Sequence, residues 1–232
     1  MELLHWGDTG WGDEIVWGAL ITITLAISSF IFGLALGLAI ALIKIKGNIW
    51  SKKVLNTYTT IVRGVPELLV IYLLFFGGSS AIMSVASIFG YTGYIELSPF
   101  MVGTLAIGAI SGAYSSEVFR GAIKAVHKGQ FESAYALGLS EQYTFKKIIL
   151  PQALRHAIPA LGNIWQLTLK DTALVSVTGL AEIMRISRMA TNSEREPFLF
   201  FVVAAIMFLI LTALSTKIQT IIEVYYNKGI KR

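Results

Sequence analysis

The 232-residue chain is 55% hydrophobic and only 14% charged, with a formal net charge of +5 and no cysteine. So high an apolar fraction with so little charge excludes an ordinary soluble domain and places the chain in the membrane class. The lack of cysteine excludes disulfides and thiolate metal sites, and in a membrane chain the location of basic residues says more about partners than their sum.

The segment from Met1 to Asp8 lacks a basic n-region and a small-residue cleavage site, so the first apolar segment is expected to be retained. Each crossing of a hydrocarbon core of about 30 Å needs about 20 apolar residues. The hydropathy pattern predicts an all-α membrane protein of one domain, 1–232, with about five transmembrane helices at 16–43, 58–82, 101–125, 160–180 and 197–224.

Before the first span stand Asp8, Asp13 and Glu14; after it stand Lys44, Lys46, Lys52 and Lys53. The basic side is expected to be cytoplasmic, with the amino terminus on the opposite side. An odd number of spans then puts the basic loop after the third span and the tail with Lys228, Lys231 and Arg232 in the cytoplasm. Glu96 and the mixed stretch from Arg185 to Glu196 fall on the other side. Within the first span Gly33 and Gly37 form a Gly-x-x-x-Gly spacing, read as packing inside the chain rather than as a dimer face.

Charges inside spans are costly and face a bundle interior or an aqueous cavity, so each is a candidate functional group. In the second span Arg63 and Glu67 are four apart on one helical face, with Gly64 and Pro66 loosening the backbone between them. Substrate contact and an internal salt bridge are both open for them. In the third span Glu117 and Arg120 lie one turn apart and read as a solvated, structural helix end.

Between the third and fourth spans lies a polar island, about 127–156. Residues 130–137 favour a helix, Gly138 suits a left-handed cap, Ser140 can cap a second helix and Pro151 is expected to end the run. Phe131, Ala134, Tyr135 and Gly138 follow helical spacing, giving one small, apolar face. Periodicity alone leaves this as an amphipathic connector on the bilayer surface.

The fourth span follows Pro159 and Gly162 and contains Lys170 and Asp171, so it reads as broken or tilted. Asn163, Gln166 and Lys170 share a face that lipid would not tolerate; it must face protein or water. Buried carboxylates suit a cationic side chain or an α-ammonium group, while basic groups and helix amino ends suit a carboxylate. His5, His127 and His156 have no metal-ligand spacing, and no nucleophile with its base is arranged for catalysis. A self-sufficient secondary carrier is the competing class, weakened by the small size and the lack of an internal repeat.

The run from Glu132 to Pro151 has the spacing Glu-Ser-Ala, three residues, Gly138, nine residues, Ile148-Ile-Leu150-Pro151. It resembles the cytoplasmic coupling loop of permease subunits in bacterial ABC importers, with Ser133 in place of the usual second alanine. Further segments resemble the polar amino-acid branch, the histidine, lysine/arginine/ornithine and opine permeases of the histidine-permease Q-subunit kind. They are Tyr58 to Glu67 with Arg63-Gly64-Val-Pro66-Glu67, Gly112 to Gly121 with Tyr114, Glu117 and Arg120, Ile158 to Asn163, and Lys170-Asp171-Thr172 to Ser176. Together they cover nearly the whole chain.

The resemblance implies an ABC type I importer permease in the bacterial inner membrane, itself not an enzyme. It implies that Glu132, Ser133, Ala134, Gly138, Ile148, Leu150 and Pro151 couple to a separate ATPase. Arg63, Glu67, Asn163, Gln166 and Asp171 are expected near the substrate pathway, and Glu117, Arg120 and Lys170 as structural or pathway groups. The expected partners are a second permease subunit, a paralogue in preference to a second copy, two cytoplasmic ATPase subunits, a periplasmic substrate-binding protein and membrane lipid, but no nucleic acid. No cofactor is expected on this chain, since ATP and magnesium would be held by the ATPase; the sequence has no Gly-x-x-x-x-Gly-Lys-Ser/Thr loop.

Overall fold

Backbone polar groups inside a bilayer find partners only within helices or closed barrels. The computed structural model, which describes residues 2–7, 10–91, 93 and 97–227, takes the first solution and contains no strand among them. Asp8, Glu96, Lys228, Lys231 and Arg232, which contribute to the charge asymmetry, lie outside the described residues.

After a short 3₁₀ turn at Glu2–Leu4 the helices are α1 (Gly12–Lys46), α2 (Ile49–Gly64), α3 (Glu67–Ile88), α4 (Pro99–Ala125), α5 (Lys128–Ala136), α6 (Glu141–Thr144), α7 (Leu150–Asp171), α8 (Ile183–Glu194) and α9 (Pro197–Asn227). Among the described residues, α1, α3 and α9 are long and apolar enough to cross a membrane by length and composition. The sequences of α4 and α7 are more polar. α4 is the central helix, packed on α1, α2, α3 and α7, so its glycines and serines meet other helices.

Its tightest seam is with α1. A Cβ on Gly33 would stand 2.0 Å from Ser111 Oγ, and one on Gly37 2.7 Å from the Cβ of Ser115. From the other side, a Cβ on Gly108 would come within 3.0 Å of the Ser29 carbonyl oxygen. The Gly-x-x-x-Gly spacing thus serves packing inside the chain, answered by Gly108 and Gly112 on α4. Ala41, Phe119, Ile123, Ile149 and Ala157 close one end of the bundle, and Leu25, Ile71, Ile107 and Val175 fill its middle.

The structure departs from the sequence expectations in several places, three of them in the course of the helices. The second predicted span is two helices: Pro66 has no N–H to donate and forces Val65 into an extended conformation (φ −100°, ψ 139°), ending α2. The fourth span is unbroken at Pro159 and Gly162, which both lie inside α7; it tightens instead into a 3₁₀ segment, Thr172–Thr178, ended by Gly179 at φ +94°. The mixed-charge stretch after it is the amphipathic helix α8, which buries Ile183, Ile186, Ser187 and Ala190. Its N-cap is Glu182, whose carboxylate accepts from the N–H groups of Met184 (2.9 Å) and Arg185 (2.8 Å).

Candidate functional site

The polar island folds as a capped hairpin. His127 Nδ1 accepts from Gly129 N at 3.1 Å to start α5. At its end Gly138 takes φ +68°, and the bonds Leu139 N to Ala134 O (3.1 Å) and Gly138 N to Tyr135 O (2.9 Å) form a Schellman cap. Only a residue free of Cβ strain adopts this left-handed position cheaply. Ser140 Oγ then accepts from Tyr143 N at 3.3 Å and caps α6.

Pro151 does not end the run, contrary to expectation. It sits in the first turn of α7, where a missing N–H is tolerated. Before it lies one π-helical turn, Phe145–Ile149, in which the N–H of Leu150 reaches back to the Phe145 carbonyl. The wider turn relieves the conflict between the proline ring and the backbone one turn earlier, so α6 and α7 remain one rod.

The expected coupling residues divide accordingly. Glu132, Ser133 and Gly138 are exposed on the hairpin, Ala134 is buried beneath it, Ile148 and Leu150 are half-buried at the root of α7, and Pro151 is exposed. Ile148 packs against the apolar cluster joining α1, α4 and α7. Lys46 at the end of α1 pairs with Glu141, and Gln152 Nε2 donates to Gln130 Oε1 at 3.2 Å. The rim of this anchored hairpin is apolar: Tyr135 is 87% and Leu137 76% exposed.

Above it, at the same end of the bundle, lies a buried polar knot that the residue spacing did not announce. Lys44 Nζ donates to Thr59 Oγ1 (2.6 Å) and Glu117 Oε1 (2.8 Å), and Arg120 donates to Glu117 Oε2 through Nε (2.9 Å) and Nη2 (2.5 Å). The Lys44 side chain is only 2% exposed and that of Glu117 23%, so Glu117 is no solvated helix end. It joins α1, α2 and α4. The missed signal is that Lys44 lies in the last turn of α1, inside the helix rather than beyond it.

Arg63 and Glu67 are separated by the break at Pro66 and form no ion pair among the described residues. The Arg63 guanidinium lies 5.3 Å from the Tyr114 ring centroid, a contact sequence spacing could not reveal. Tyr58 Oη donates to the Ala109 carbonyl at 2.8 Å and ties α2 to α4. Glu67 starts α3 and Asp171 ends α7, and α3 packs on the 3₁₀ segment that follows Asp171.

The expected stripe on α7 is shared between directions. Gln166 Nε2 donates to Thr216 Oγ1 of α9 at 3.3 Å, and its buried Oε1 has no hydrogen-bond partner among the described residues. Asn163 and Lys170 face outward. Lys170 and Asp171 do not form an ion pair among the described residues, and no three potential ligands cluster there to hold a metal.

Comparison with known proteins places this geometry. Residues 30–224 match the family model of the binding-protein-dependent transport system inner membrane component. The nopaline transport system permease protein NocQ of Agrobacterium fabrum is 45% identical, over 100% of this chain and 98% of its own length. The histidine/lysine/arginine/ornithine transport system permease protein HisQ of Escherichia coli K12 is 39% identical, over 96% of this chain and 97% of its own. A solved amino acid ABC transporter with histidines superposes with a TM-score of 0.80 at 28% identity, covering 93% of this chain and 95% of that one. With the break at Pro66, the capped hairpin and the α1–α4 seam in hand, the chain belongs to the family of binding-protein-dependent transport system inner membrane components.

Proposed function

We propose that this permease subunit imports polar, cationic amino acids or opines, driven by a separate ATPase that docks on the α5–α6 hairpin. The observation that carries the reading is the hairpin itself: its backbone is fixed by caps at both bends, and Tyr135 and Leu137 stand almost fully exposed beside Gly138. Apolar side chains on a rigid polar projection suit a groove in a partner. Because α6 continues into α7, a push on the hairpin reaches the part of α7 that carries Asp171.

Substrate class is supported by Glu67 and Asp171. Glu67 opens α3 and Asp171 precedes the 3₁₀ segment on which α3 packs, and carboxylates on adjoining elements favour a guanidinium, ammonium or imidazolium group. The relatives named for nopaline and for basic amino acids carry substrates of that chemistry. Arg63, Asn163 and Gln166 would line the remaining path, with Arg63 available to a substrate carboxylate. In this reading α4 and α7 complete five spans, the amino terminus is periplasmic and the carboxy terminus cytoplasmic. A second permease, a paralogue in preference to a copy, two ATPase subunits holding ATP and magnesium, and a periplasmic binding protein complete the importer.

The test is purification of the tagged chain in mild detergent with mass spectrometry of what remains bound, then reconstitution with labelled arginine, histidine and nopaline. The expected result is stoichiometric ATPase and a second permease, with uptake that requires ATP. Transport by this chain alone without ATP would overturn the reading. In the same assay Asp171→Asn is expected to leave assembly intact and slow or redirect uptake; an unchanged substrate profile at normal rate would make Asp171 structural.

A further inference from the structure

The hairpin does not lie flat against the bundle. Between it and the last turns of α1 and α4 opens a cavity of about 820 Å³, within the range of ligand-sized sites. Its walls are apolar: Leu42 and Ile45 from α1, Ile123 from α4, Phe131 from α5 and Phe145 from the π turn. Lys46, Lys124 and Lys128 also border it, as do Glu132 and Glu141.

Lys46 is taken up by Glu141, whereas Lys124 and Lys128 make no ion pair among the described residues. Three lysines less two glutamates leave the lining one positive charge in excess. The cavity also has a definite depth. Leu42 and Ile45 lie within the last five residues of α1, which ends at Lys46, and Ile123 lies two residues before α4 ends at Ala125, so in the reading above the cavity lies where hydrocarbon gives way to headgroups. Basic pockets between helices at the cytoplasmic face bind anionic lipid headgroups, and lysine stems cover apolar surface while the ammonium reaches the phosphate.

We propose that this cavity binds one anionic phospholipid, its singly charged phosphodiester held by Lys124 and Lys128 and its upper acyl segments lying on Ile45, Ile123 and Phe131. The apolar walls select a lipid over a soluble phosphate, and the excess of one charge matches one phosphodiester. The inference rests on the cytoplasmic placement of the hairpin given above, but not on transport. Since Glu132 and Tyr135 border the same cavity, the lipid would set the posture of the surface offered to the ATPase.

The experiment uses the complete importer, purified in mild detergent from membranes containing phosphatidylglycerol, with retained lipid counted by native mass spectrometry. Wild type is expected to retain one phosphatidylglycerol per copy of this chain, and Lys124→Gln/Lys128→Gln at least threefold less. Lys52→Gln/Lys53→Gln removes the same charge from α2 and is expected to retain the wild-type amount. Equal loss in both variants would mean diffuse surface attraction, and no loss in either would mean no site; each overturns the proposal. Displacement by millimolar glycerol phosphate would overturn the choice of a lipid, and retention only after the ATPase subunits are stripped would assign the cavity to that interface. ATP-driven uptake, measured separately, tells failure of this inference from failure of the importer reading.

Discussion

The α1–α4 seam and the α5–α6 hairpin are built on opposite terms. In the seam, backbone approaches backbone until a single added Cβ would collide, and at its end the polar groups of Lys44, Thr59 and Glu117 are matched inside the chain. In the hairpin the backbone is held as firmly, by caps, yet the large side chains Tyr135 and Leu137 stay almost fully exposed. The helices α2 and α3 share that character, burying only Thr59 and Ile71 respectively among their described residues. The contrast teaches that rigidity and burial are separable: the seam defines the fold, and the hairpin presents a surface that is fixed before any partner arrives.

The largest effect on folding is expected at the seam. Gly33→Leu places side-chain atoms where Ser111 Oγ and the Gly108 carbonyl already stand, and overpacking of this kind costs about 3 kcal/mol or more. The chain should be lost from the monodisperse peak in fluorescence-detected size exclusion; a normal peak would show that the seam has slack. Next comes the knot at its end. Glu117→Gln strips a 2%-exposed Lys44 of its counter-charge, at a cost of about 3 kcal/mol, the low end for a broken buried pair because Glu117 is partly exposed. Thermal denaturation should register it, and adding Lys44→Met should recover much of the loss; failure of that rescue would mean the knot is not the cause.

A smaller effect belongs to Glu182, on the connector ahead of α8 at the far end of α1, outside the spanning helices. Burial pushes its carboxyl up to about 7, while its bonds to Met184 and Arg185 and the nearby Arg188 pull the other way. A folded-state value above the unfolded value of about 4.5 means that the folded chain binds more protons between those two pH values. Stability should therefore be highest below about pH 4.5, decline as pH rises to about 7 and level off above it. Glu182→Gln should flatten that slope in thermal-shift measurements; an unchanged slope would place its origin elsewhere.

The smallest effect on stability should come from the hairpin. Gly138→Asp sets a side chain at φ +68°, with no atom within 4 Å of its Cβ, and the left-handed backbone costs about 1 kcal/mol. Assembly should survive while ATP hydrolysis and uptake separate. Unaltered coupled transport would remove the hairpin from the drive train, and loss of folding would erase the contrast with the seam.

Much of this was legible in the sequence, and what was not has specific causes. Long apolar runs announce α1, α3 and α9, and Gly138 and Ser140 announce the hairpin, because hydropathy and capping act over a few residues. α8 was equally present in the spacing of Ile183, Ile186 and Ala190, but its mixed charges masked the period. Pro66 and Pro159 show the limit of local reading: the first breaks a helix and the second sits inside one, and the neighbours decide which. The meetings of Lys44 with Glu117 and Arg63 with Tyr114 join residues remote in sequence, so no periodicity within a single helix contains them.

The π turn at Phe145–Ile149 has a consequence for heredity as much as for mechanics. A π turn holds one residue more than the α-helical ladder needs, and each residue of an α-helix advances its azimuth by about 100°. Deleting one residue there would draw the rod toward plain α-helix and return Pro151 to the clash that the wide turn relieves, while disturbing the cluster in which Ile149 is buried and on which Phe145 and Ile148 pack. The surplus residue is thus held in the lineage by Pro151 and Ile149 together, and the surface offered to a partner is left to vary by substitution at the exposed Tyr135 and Leu137 instead of by a change of length.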